Sequence, residues 1–211
     1  MHNKTARDIM LDDQKHTNND NDNKKKLLHD LYARYIKCLA CPLALQGRSQ
    51  VVFGQGNPCS SLMIIGEAPG QEEDLQGKPF VGRSGKLLEK VFQTISITRE
   101  EIFITNSVKC RPPLNRAPVS FETKTCANIL LFQEISIIKP KIICTLGTSA
   151  ASILIQEQMP KNISMSLIRG NEFNYNDSII IPTYHPAYAL RKPKIIEDIA
   201  LDIKKAYLES L

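Results

Sequence analysis

The chain has 211 residues, of which 42% are apolar and 23% charged, and its formal net charge is +5. These values are typical of one globular domain and exclude a predominantly disordered chain. No segment reaches the roughly 18 to 20 consecutive apolar residues of a membrane span, and the polar N-terminus lacks the apolar stretch of a secretory signal, so we expect no membrane contact and a cytoplasmic, intracellular location.

The N-terminal segment differs in composition from the rest of the chain. Residues 1–24 are rich in Asn, Asp and Lys, and they carry too few apolar side chains to offset the entropy lost on ordering. We predict a disordered polar tail over residues 1–24 and a single domain over residues 25–211. The domain is expected to begin with an amphipathic helix from Lys25 to Lys37, which has its leucines and tyrosines on one face.

Apolar runs alternate with helical patterns along the rest of the chain. The apolar runs predict four buried strands, over residues 62–65, 102–105, 142–146 and 179–181. The helical patterns cover residues 85–95, 121–138, 148–156 and 193–211. Ser84 and Ser120 are the predicted N-caps of the first two helices, and Pro140 ends the second. The alternation predicts an α/β fold, a three-layer α/β/α sandwich with a short, mainly parallel central sheet.

Candidate ligand-binding residues follow each predicted strand. Gly66 to Gly70 follow the first strand, Asn106 the second, Gly147 the third, and Tyr184 to Pro186 the fourth. In sheets of this kind, ligands bind beyond the carboxyl ends of the strands. The glycines and proline of the first loop allow a sharp turn and a close approach to a ligand. We therefore expect one binding site at this edge of the sheet.

Four of the six cysteines are candidate ligands of a metal or cluster. They are Cys38, Cys41, Cys110 and Cys126. Without a secretory signal, this spacing indicates ligation rather than disulfides, although six unrelated thiols are the simpler alternative. Zinc and a [4Fe-4S] cluster both accept four thiolates, and the spacing alone does not choose between them. Cys59 and Cys144 are predicted to be non-ligands.

Basic side chains are concentrated in or beside the same loops. They are Lys78, Arg83, Lys86, Lys109, Arg111, Arg116, Arg191, Lys192 and Lys194. This distribution predicts a face that follows the phosphates of a nucleic acid. The alternative is a set of scattered, solvated surface charges.

Four motifs occur in order at the ends of the predicted strands. They are GEAPGQEED from Gly66, GKPFVGRSGKLL from Gly77, TNSVKC from Thr105 and YHPAYALR from Tyr184. Together they resemble the motifs of family 4 uracil-DNA glycosylases, whose cluster ligands have the same order as the four cysteines. The resemblance covers roughly residues 27–208. It implies a uracil-DNA glycosylase-like fold and an enzyme that hydrolyses the N-glycosidic bond of uracil in DNA, leaving an abasic site for base excision repair.

The resemblance implies a pocket for a flipped uracil. Phe80 is similar to the residue that stacks on the base, Asn106 to the residue that reads it, and His185 to the residue that donates to uracil O2. The amide of Asn106 offers an acceptor and a donor that match N3–H and O4 of uracil, whereas cytosine presents the reverse order. The ordinary alternatives are core packing for Phe80, a turn for Asn106, and a core or surface position for His185.

Glu67 completes the predicted catalytic set with Asn106 and His185. Its role has three alternatives, which are to orient the attacking water, to exclude the methyl group of thymine, or to cap a backbone turn. The other predicted substrate-binding residues of the same loop are Gly66, Ala68, Pro69 and Gly70. Ala68 stands where the best-known uracil glycosylases have an acidic residue, which is compatible with a dissociative path that needs only a positioned water.

The resemblance also implies a partner and a cofactor. The predicted DNA contacts are Arg83, Ser84, Lys86, Arg111, Leu190, Arg191 and Lys192. Leu190 or Arg191 is the candidate wedge that enters the gap left by the flipped nucleotide. The partner would be uracil-containing DNA, single- or double-stranded, and the protein is expected to be a monomer. The four candidate cysteines would hold a structural [4Fe-4S] cluster.

Three other functions fit parts of the sequence less well. A relative that binds uracil covalently depends on a histidine in the loop that here spans residues 111–118, which contains none. A non-catalytic nucleic-acid-binding module would have no use for Phe80, Asn106 and His185 together. An electron-transfer protein would leave the same three residues without a purpose. The sequence therefore favours a glycosylase.

Overall fold

The computed structural model describes residues 6–159 and 164–211. Its strands are β1 (Gln55–Gly56), β2 (Leu62–Gly66), β3 (Phe103–Asn106), β4 (Ile142–Leu146), β5 (Phe173–Tyr175) and β6 (Ser178–Thr183). Its helices are α1 (Ala6–Tyr35), α2 (Gln71–Gln76), α3 (Arg83–Thr94), α4 (Ser120–Cys126), α5 (Phe132–Ile138), α6 (Thr148–Ile155), α7 (Met165–Ile168), α8 (Pro186–Ala189) and α9 (Ile195–Ser210). A π-helical turn over Ala127–Leu131 joins α4 to α5, and 3₁₀ turns lie at Pro42–Leu45, Pro113–Asn115 and Gln156–Gln158.

The strands form one sheet in the order β1-β3-β2-β4-β6-β5. The four central strands are parallel, and Ile64 of β2 lies level with Ile104 of β3 and Cys144 of β4. These are the four strands that the apolar runs predict, and the prediction is confirmed. The edge strands β1 and β5 pair antiparallel with their neighbours. They lack a predictive apolar run because they are only two and three residues long and are not buried.

Alternate residues of the central strands face two different layers of helices. On one side, Ile64 and Cys144 pack with Phe92 of α3 and with the buried face of α9. On the other side, Met63 and Ile143 pack with side chains of α1, α5, α6 and α7. Because both faces of the sheet are covered, the central strands are mainly apolar and almost entirely buried. The predicted three-layer α/β/α sandwich is confirmed.

Helix α1 is longer than the predicted amphipathic helix. It begins at Ala6, so the structure differs from the predicted disordered tail over residues 6–24, while residues 1–5 of that tail lie outside the described residues. Ion pairs within the helix favour this extension, with 3.3 Å between Lys24 Nζ and Asp20 Oδ2. Lys24 also donates to the carbonyl oxygen of Ile138 at 3.2 Å, which ties the helix to α5. The division of the chain into a tail and a domain at residue 25 stays a prediction.

The two predicted serine N-caps are wrong, because carboxylates take their place. Helix α3 begins two residues earlier than predicted, after Gly82, and the Gly82 amide donates to Glu73 Oε1 at 2.7 Å. Helix α4 begins after Val119, whose amide donates to Glu122 Oε2 at 2.8 Å. Ser84 and Ser120 therefore lie inside the first turns of these helices. A carboxylate that satisfies a free amide also complements the positive end of the helix dipole.

Across the two described ranges, no helix is long and apolar enough to cross a membrane.

The core position of Ile143 makes a testable prediction about stability. Its side chain is fully buried in the central strand β4, so we expect Ile143→Ala to lower the free energy of unfolding by about 2–5 kcal/mol. Leu201 of α9 is 64% exposed, and Leu201→Ala should change the same quantity by less than about 0.5 kcal/mol. Urea unfolding followed by circular dichroism measures both. Equal losses for the two variants would contradict the assigned core.

Candidate functional site

The loops that follow β2, β3 and β6 meet around one cavity of about 550 Å³. Its lining residues are Glu67, Ala68, Pro69, Gly70, Gln71, Glu72, Glu73, Phe80, Gly82, Arg83, Ser84, Asn106, Pro112, Asn115, Arg116, His185, Ala187 and Arg191. The cavity lies at the carboxyl ends of parallel strands, where the strand order predicts a ligand site. The structure thus brings together Glu67, Phe80, Asn106 and His185, which come from separate parts of the chain.

Phe80 is held in an unusual backbone conformation at the wall of this cavity. Its φ angle is +54°, a region that bulky side chains rarely adopt. Two glycines make room for it, since a Cβ on Gly66 would collide with the Phe80 ring and one on Gly85 would collide with the Phe80 carbonyl group. Arg99 donates to the Phe80 carbonyl oxygen from the far side. The ring is therefore fixed against the end of β2, next to the space that a flat ligand would occupy.

Asn106 ends strand β3 and carries an unsatisfied acceptor. The residue is only 2% exposed, and among the described residues its Oδ1 has no hydrogen-bond partner. The same oxygen lies so close to Gly66 that a Cβ there would collide with it. A buried acceptor without a partner costs free energy unless a ligand or water supplies a donor. Asn106 thus lines the cavity and carries a buried acceptor whose hydrogen-bonding capacity is unused among the described residues.

His185 lies across the cavity from Phe80, with 6.2 Å between the centres of the two rings. The Ala187 amide donates to His185 Nδ1 at 3.1 Å, so the proton of the neutral ring is carried by Nε2. Burial lowers the pKa of His185 to about 4, against a smaller opposing effect of Glu73. At neutral pH the side chain is thus an uncharged imidazole whose Nε2–H is a donor.

The four candidate cysteines come together beneath the N-terminal helix. Cys38, Cys41, Cys110 and Cys126 belong to one packed cluster with Leu31, Leu43, Val51, Val108 and Leu130. Two donors point at their sulfurs, because Arg48 Nη1 lies 2.6 Å from Cys110 Sγ and the Lys109 amide lies 3.2 Å from Cys126 Sγ. Such donors stabilise thiolates, the form in which cysteine binds metals.

In the described parts of the chain, no group of three or more His, Cys, Asp or Glu side chains is arranged to hold one metal ion. Zinc would require four sulfurs at about 2.3 Å from one centre. Burial raises the pKa of Cys126 to about 12, so this thiol would need a bound cation to stay deprotonated at neutral pH. Four cysteine thiolates are a donor set that accepts either zinc or a [4Fe-4S] cluster.

Comparisons with known proteins agree with this geometry. Residues 53–210 match the family model of the uracil DNA glycosylase superfamily. The type-4 uracil-DNA glycosylase of Thermotoga maritima is 42% identical over 186 residues, which cover 87% of this chain and 94% of that protein. The type-4 uracil-DNA glycosylase of Saccharolobus solfataricus is 42% identical over 182 residues, which cover 83% of each chain. The chain belongs to the type-4 uracil-DNA glycosylase family.

Five of the residues that the sequence predicts to contact DNA lie in the lining of the cavity or in the segment around Arg191. Arg83, Ser84 and Arg191 line the cavity itself. Leu190, which directly precedes Arg191, is 39% exposed and so does not pack into the core. Lys192 Nζ lies 5.1 Å from the centre of the Tyr188 ring, which holds the lysine near this loop.

Two other predicted DNA contacts lie further from the cavity. Lys86 is exposed on the first helical turns of α3. Arg111 is half-buried, and its Nε donates to Asn115 Oδ1 at 2.8 Å, so the guanidinium is partly engaged within its own loop. The roles of all these residues in DNA binding stay predictions.

The prediction that Lys109 belongs to the basic face is wrong. It is fully buried and pairs with Glu134, at 2.6 Å between Lys109 Nζ and Glu134 Oε2. It therefore cannot contact phosphates from this position. Counting cations in the sequence does not reveal this burial, because the partner Glu134 is distant along the chain and belongs to a different element.

Sequence reasoning also missed residues that shape the site. Glu73 accepts hydrogen bonds from the amides of Gly70, Val81 and Gly82, so one buried carboxylate joins the two loops that carry Glu67 and Phe80. Its place three residues after Gly70, in the acidic first turn of α2, is typical of a residue that caps a helix start. Arg116, which belongs to the predicted basic face, also lines the cavity, and its guanidinium pairs with Glu122 at 2.7 Å.

The lowered pKa of His185 makes a prediction about pH. The unfolded chain takes up the proton near pH 6.5 but the folded protein only near pH 4, so the contribution of His185 to stability is lost as the pH falls through this window. We expect His185→Gln to make the unfolding free energy less dependent on pH between 6.5 and 4.5. Urea unfolding at the two pH values measures this, with His29→Gln, an exposed histidine in α1, as the control. The prediction fails if both variants follow the wild-type pH dependence.

Proposed function

We propose that this protein excises uracil from DNA by hydrolysing the N-glycosidic bond, as the names of its relatives state for them. The observation that carries the proposal is Asn106 Oδ1, a buried acceptor with no hydrogen-bond partner among the described residues, in a side chain that lines the same cavity as Phe80 and His185. A flat heterocycle with one donor and neighbouring acceptors on its edge is the ligand that complements these three side chains.

Recognition of uracil would follow from the Asn106 amide. Its Oδ1 would accept from N3–H, and its Nδ2 would donate to O4, while the base stacks on Phe80. Cytosine offers an acceptor at N3 and a donor at position 4, so both contacts would become repulsive. The base reaches the cavity only after the nucleotide has left the helical stack, which favours a lesion that is already mispaired.

His185 would act on the departing base. Its Nε2–H would donate to uracil O2 as negative charge accumulates there in the transition state. The neutral ring is suited to this task, because its proton stays in place over the physiological pH range and Nδ1 is already occupied by the Ala187 amide. The group is a preorganised donor, so no reorientation is needed when the bond breaks.

The water that attacks the sugar has one candidate partner in the loop after β2. Glu67 borders the main cavity and the two cavities beside it, which gives its carboxylate access to solvent. We propose that Glu67 orients this water. The neighbouring Ala68 has no side-chain acceptor, so the reaction would rely on oxocarbenium character at the sugar rather than on a strong general base.

DNA would be held at the mouth of the cavity. Uracil-containing DNA, single- or double-stranded, is the proposed partner, with Arg83, Lys86, Arg111, Arg191 and Lys192 contacting phosphates and Ser84 donating from the start of α3. Leu190 is the proposed wedge, since 39% of its surface is exposed beside the cavity. The proposed enzyme is an intracellular monomer.

The proposed cofactor is a [4Fe-4S] cluster on Cys38, Cys41, Cys110 and Cys126. When bound, it would supply a rigid cross-link between the segment after α1 and the segment after β3, and no electron transfer is needed for hydrolysis. Arg48 and the Lys109 amide would donate to its cysteine sulfurs. Cys59 and Cys144 stay outside the proposed ligand set, since the first is exposed and the second is buried in β4.

The function has a direct assay. Purified protein is expected to release uracil from an oligonucleotide with a single deoxyuridine, which alkali then cleaves at the abasic site. His185→Ala should lower kcat on the order of 10²–10³-fold, because one preorganised donor to the leaving base is lost. His29→Ala is the matched control and should leave kcat unchanged. Wild-type protein that binds the oligonucleotide without releasing uracil would indicate an inert binding module.

The cofactor has a separate assay. Protein purified without oxygen is expected to be brown and to contain about four irons per chain, as one [4Fe-4S] cluster requires. Cys110→Ala should lose the colour and lower the melting temperature, whereas Cys59→Ala should keep both. Iron and zinc analysis decides the outcome. A colourless protein that contains one zinc and is fully active would refute the cluster.

A further inference from the structure

Lys109 lies directly behind Asn106 and has no exposed surface. Its ammonium nitrogen lies 2.6 Å from the carbonyl oxygen of Asn106, 2.5 Å from Thr105 Oγ1 and 2.6 Å from Glu134 Oε2. An ammonium group has three protons, so these three acceptors use all of them. The lysine is therefore fixed in one orientation, and one of its three bonds holds the peptide unit that follows Asn106.

Glu134 on α5 completes the arrangement. Its Oε1 accepts from the Tyr32 hydroxyl at 2.8 Å and from the Gly54 amide at 3.2 Å, while its Oε2 also accepts from Thr105 Oγ1 at 2.9 Å. The carboxylate is as fully buried as the lysine. A buried ion pair whose remaining donors and acceptors are satisfied is held in a single geometry.

The same lysine also meets the four-cysteine centre through its backbone. Its amide donates to Cys126 Sγ at 3.2 Å, and the next residue in the chain is Cys110. The side chain of Lys109 therefore contacts Asn106, and its backbone amide contacts Cys126. Asn106 and the cysteine centre are close along the chain, since only Ser107 and Val108 separate Asn106 from Lys109.

We propose that Lys109 is a positioning residue that fixes the Asn106 carboxamide for uracil recognition, with Glu134 holding the lysine in place. The proposal rests on the proposed function of Asn106. The direction of the Asn106 side chain depends on the orientation of its peptide units, and the unit that follows it is held by Lys109 Nζ. Loss of this bond would let the carboxamide turn away from N3–H and O4, although the pocket walls would remain.

A purely structural role makes a different prediction from a positioning role. Lys109→Met removes the bond to Asn106 and leaves Glu134 as an unpaired buried charge, so the variant should lose stability in either case. The double variant Lys109→Met, Glu134→Gln has neither buried charge, and its glutamine oxygen can still accept from Tyr32 and Gly54. It should regain thermal stability but not the bond to Asn106.

Glu134→Gln alone tests the contribution of Glu134, and Lys141→Met, at an exposed lysine, is the matched control that should leave kcat unchanged. Glu134→Gln removes the charge that pairs with Lys109, whereas the lysine can still donate to the carbonyl oxygen of Asn106. We expect a partial loss in kcat, on the order of 10-fold, for Glu134→Gln and a loss on the order of 10²-fold for Lys109→Met and the double variant, since a displacement of about 1 Å at a reacting site has such an effect.

The measurements are kcat and KM on uracil-containing oligonucleotide, the inhibition constant of free uracil, and the affinity for uracil-free DNA, all below the melting temperature of every variant. Positioning predicts a raised inhibition constant in the two Lys109 variants and unchanged binding of uracil-free DNA. A double variant with the wild-type kcat and the wild-type inhibition constant for free uracil would refute the inference. A Glu134→Gln variant that loses as much kcat as Lys109→Met at equal stability would refute it too.

The test also separates this inference from the proposed function. If wild-type protein does not release uracil, the proposed function itself is wrong. If wild-type protein is active and the two Lys109 variants are equally active, the function stands and only the positioning role of Lys109 is wrong. Iron content of each variant is measured as well, because impairment that follows cluster loss instead of Lys109 chemistry would also overturn the inference.

Discussion

The buried pair of Lys109 and Glu134 is the interaction on which the rest of the site depends. Removing water from two charges is costly, so the pair is stable only if every remaining proton and lone pair finds a partner. Those partners come from α1, the segment before β1, and strand β3, which are separate in the chain. Removing one member of such a pair typically costs about 3–5 kcal/mol. The elements around the ion pair are therefore held in one arrangement, and Asn106 is part of it.

Some polar groups that line the cavity differ from the ion pair, because they lack hydrogen-bond partners among the described residues. Asn106 Oδ1 is buried and unpaired among the described residues, and the His185 donor faces a space that protein atoms do not fill. Proteins tolerate such costs mainly where a ligand repays them. The strained Phe80 backbone belongs to the same pattern, because a φ of +54° persists only when surrounding contacts impose it. The fully hydrogen-bonded ion pair of Lys109 and Glu134 thus supports a cavity wall in which Asn106 Oδ1 lacks a protein partner among the described residues.

Most of the fold follows from local sequence patterns, whereas the support of the site does not. Buried parallel strands are continuous apolar runs, and a ligand site at their carboxyl ends is a consequence of topology, so residues such as Asn106 and His185 could be located in advance. The burial of Lys109 could not, because the side chain that neutralises it is on another element. The same limit applies to the helix starts, where Glu73 and Glu122 replace the nearby serines. Local propensity identifies a residue that is able to cap a helix. The fold determines which of the possible capping side chains lies close enough to accept from the free amides.

The position of the cysteine centre explains what a hydrolase would gain from a cluster. Hydrolysis of a glycosidic bond transfers no electrons, so the contribution of such a group has to be mechanical. Cys110 and Cys126 lie on either side of the loop that lines the cavity through Asn115 and Arg116, and Cys110 directly follows Lys109. A group that linked these cysteines to Cys38 and Cys41 would restrict the segment that leaves β3 just past Asn106. Such a restraint would oppose the same backbone motion of Asn106 that the bond from Lys109 is proposed to oppose from the other side.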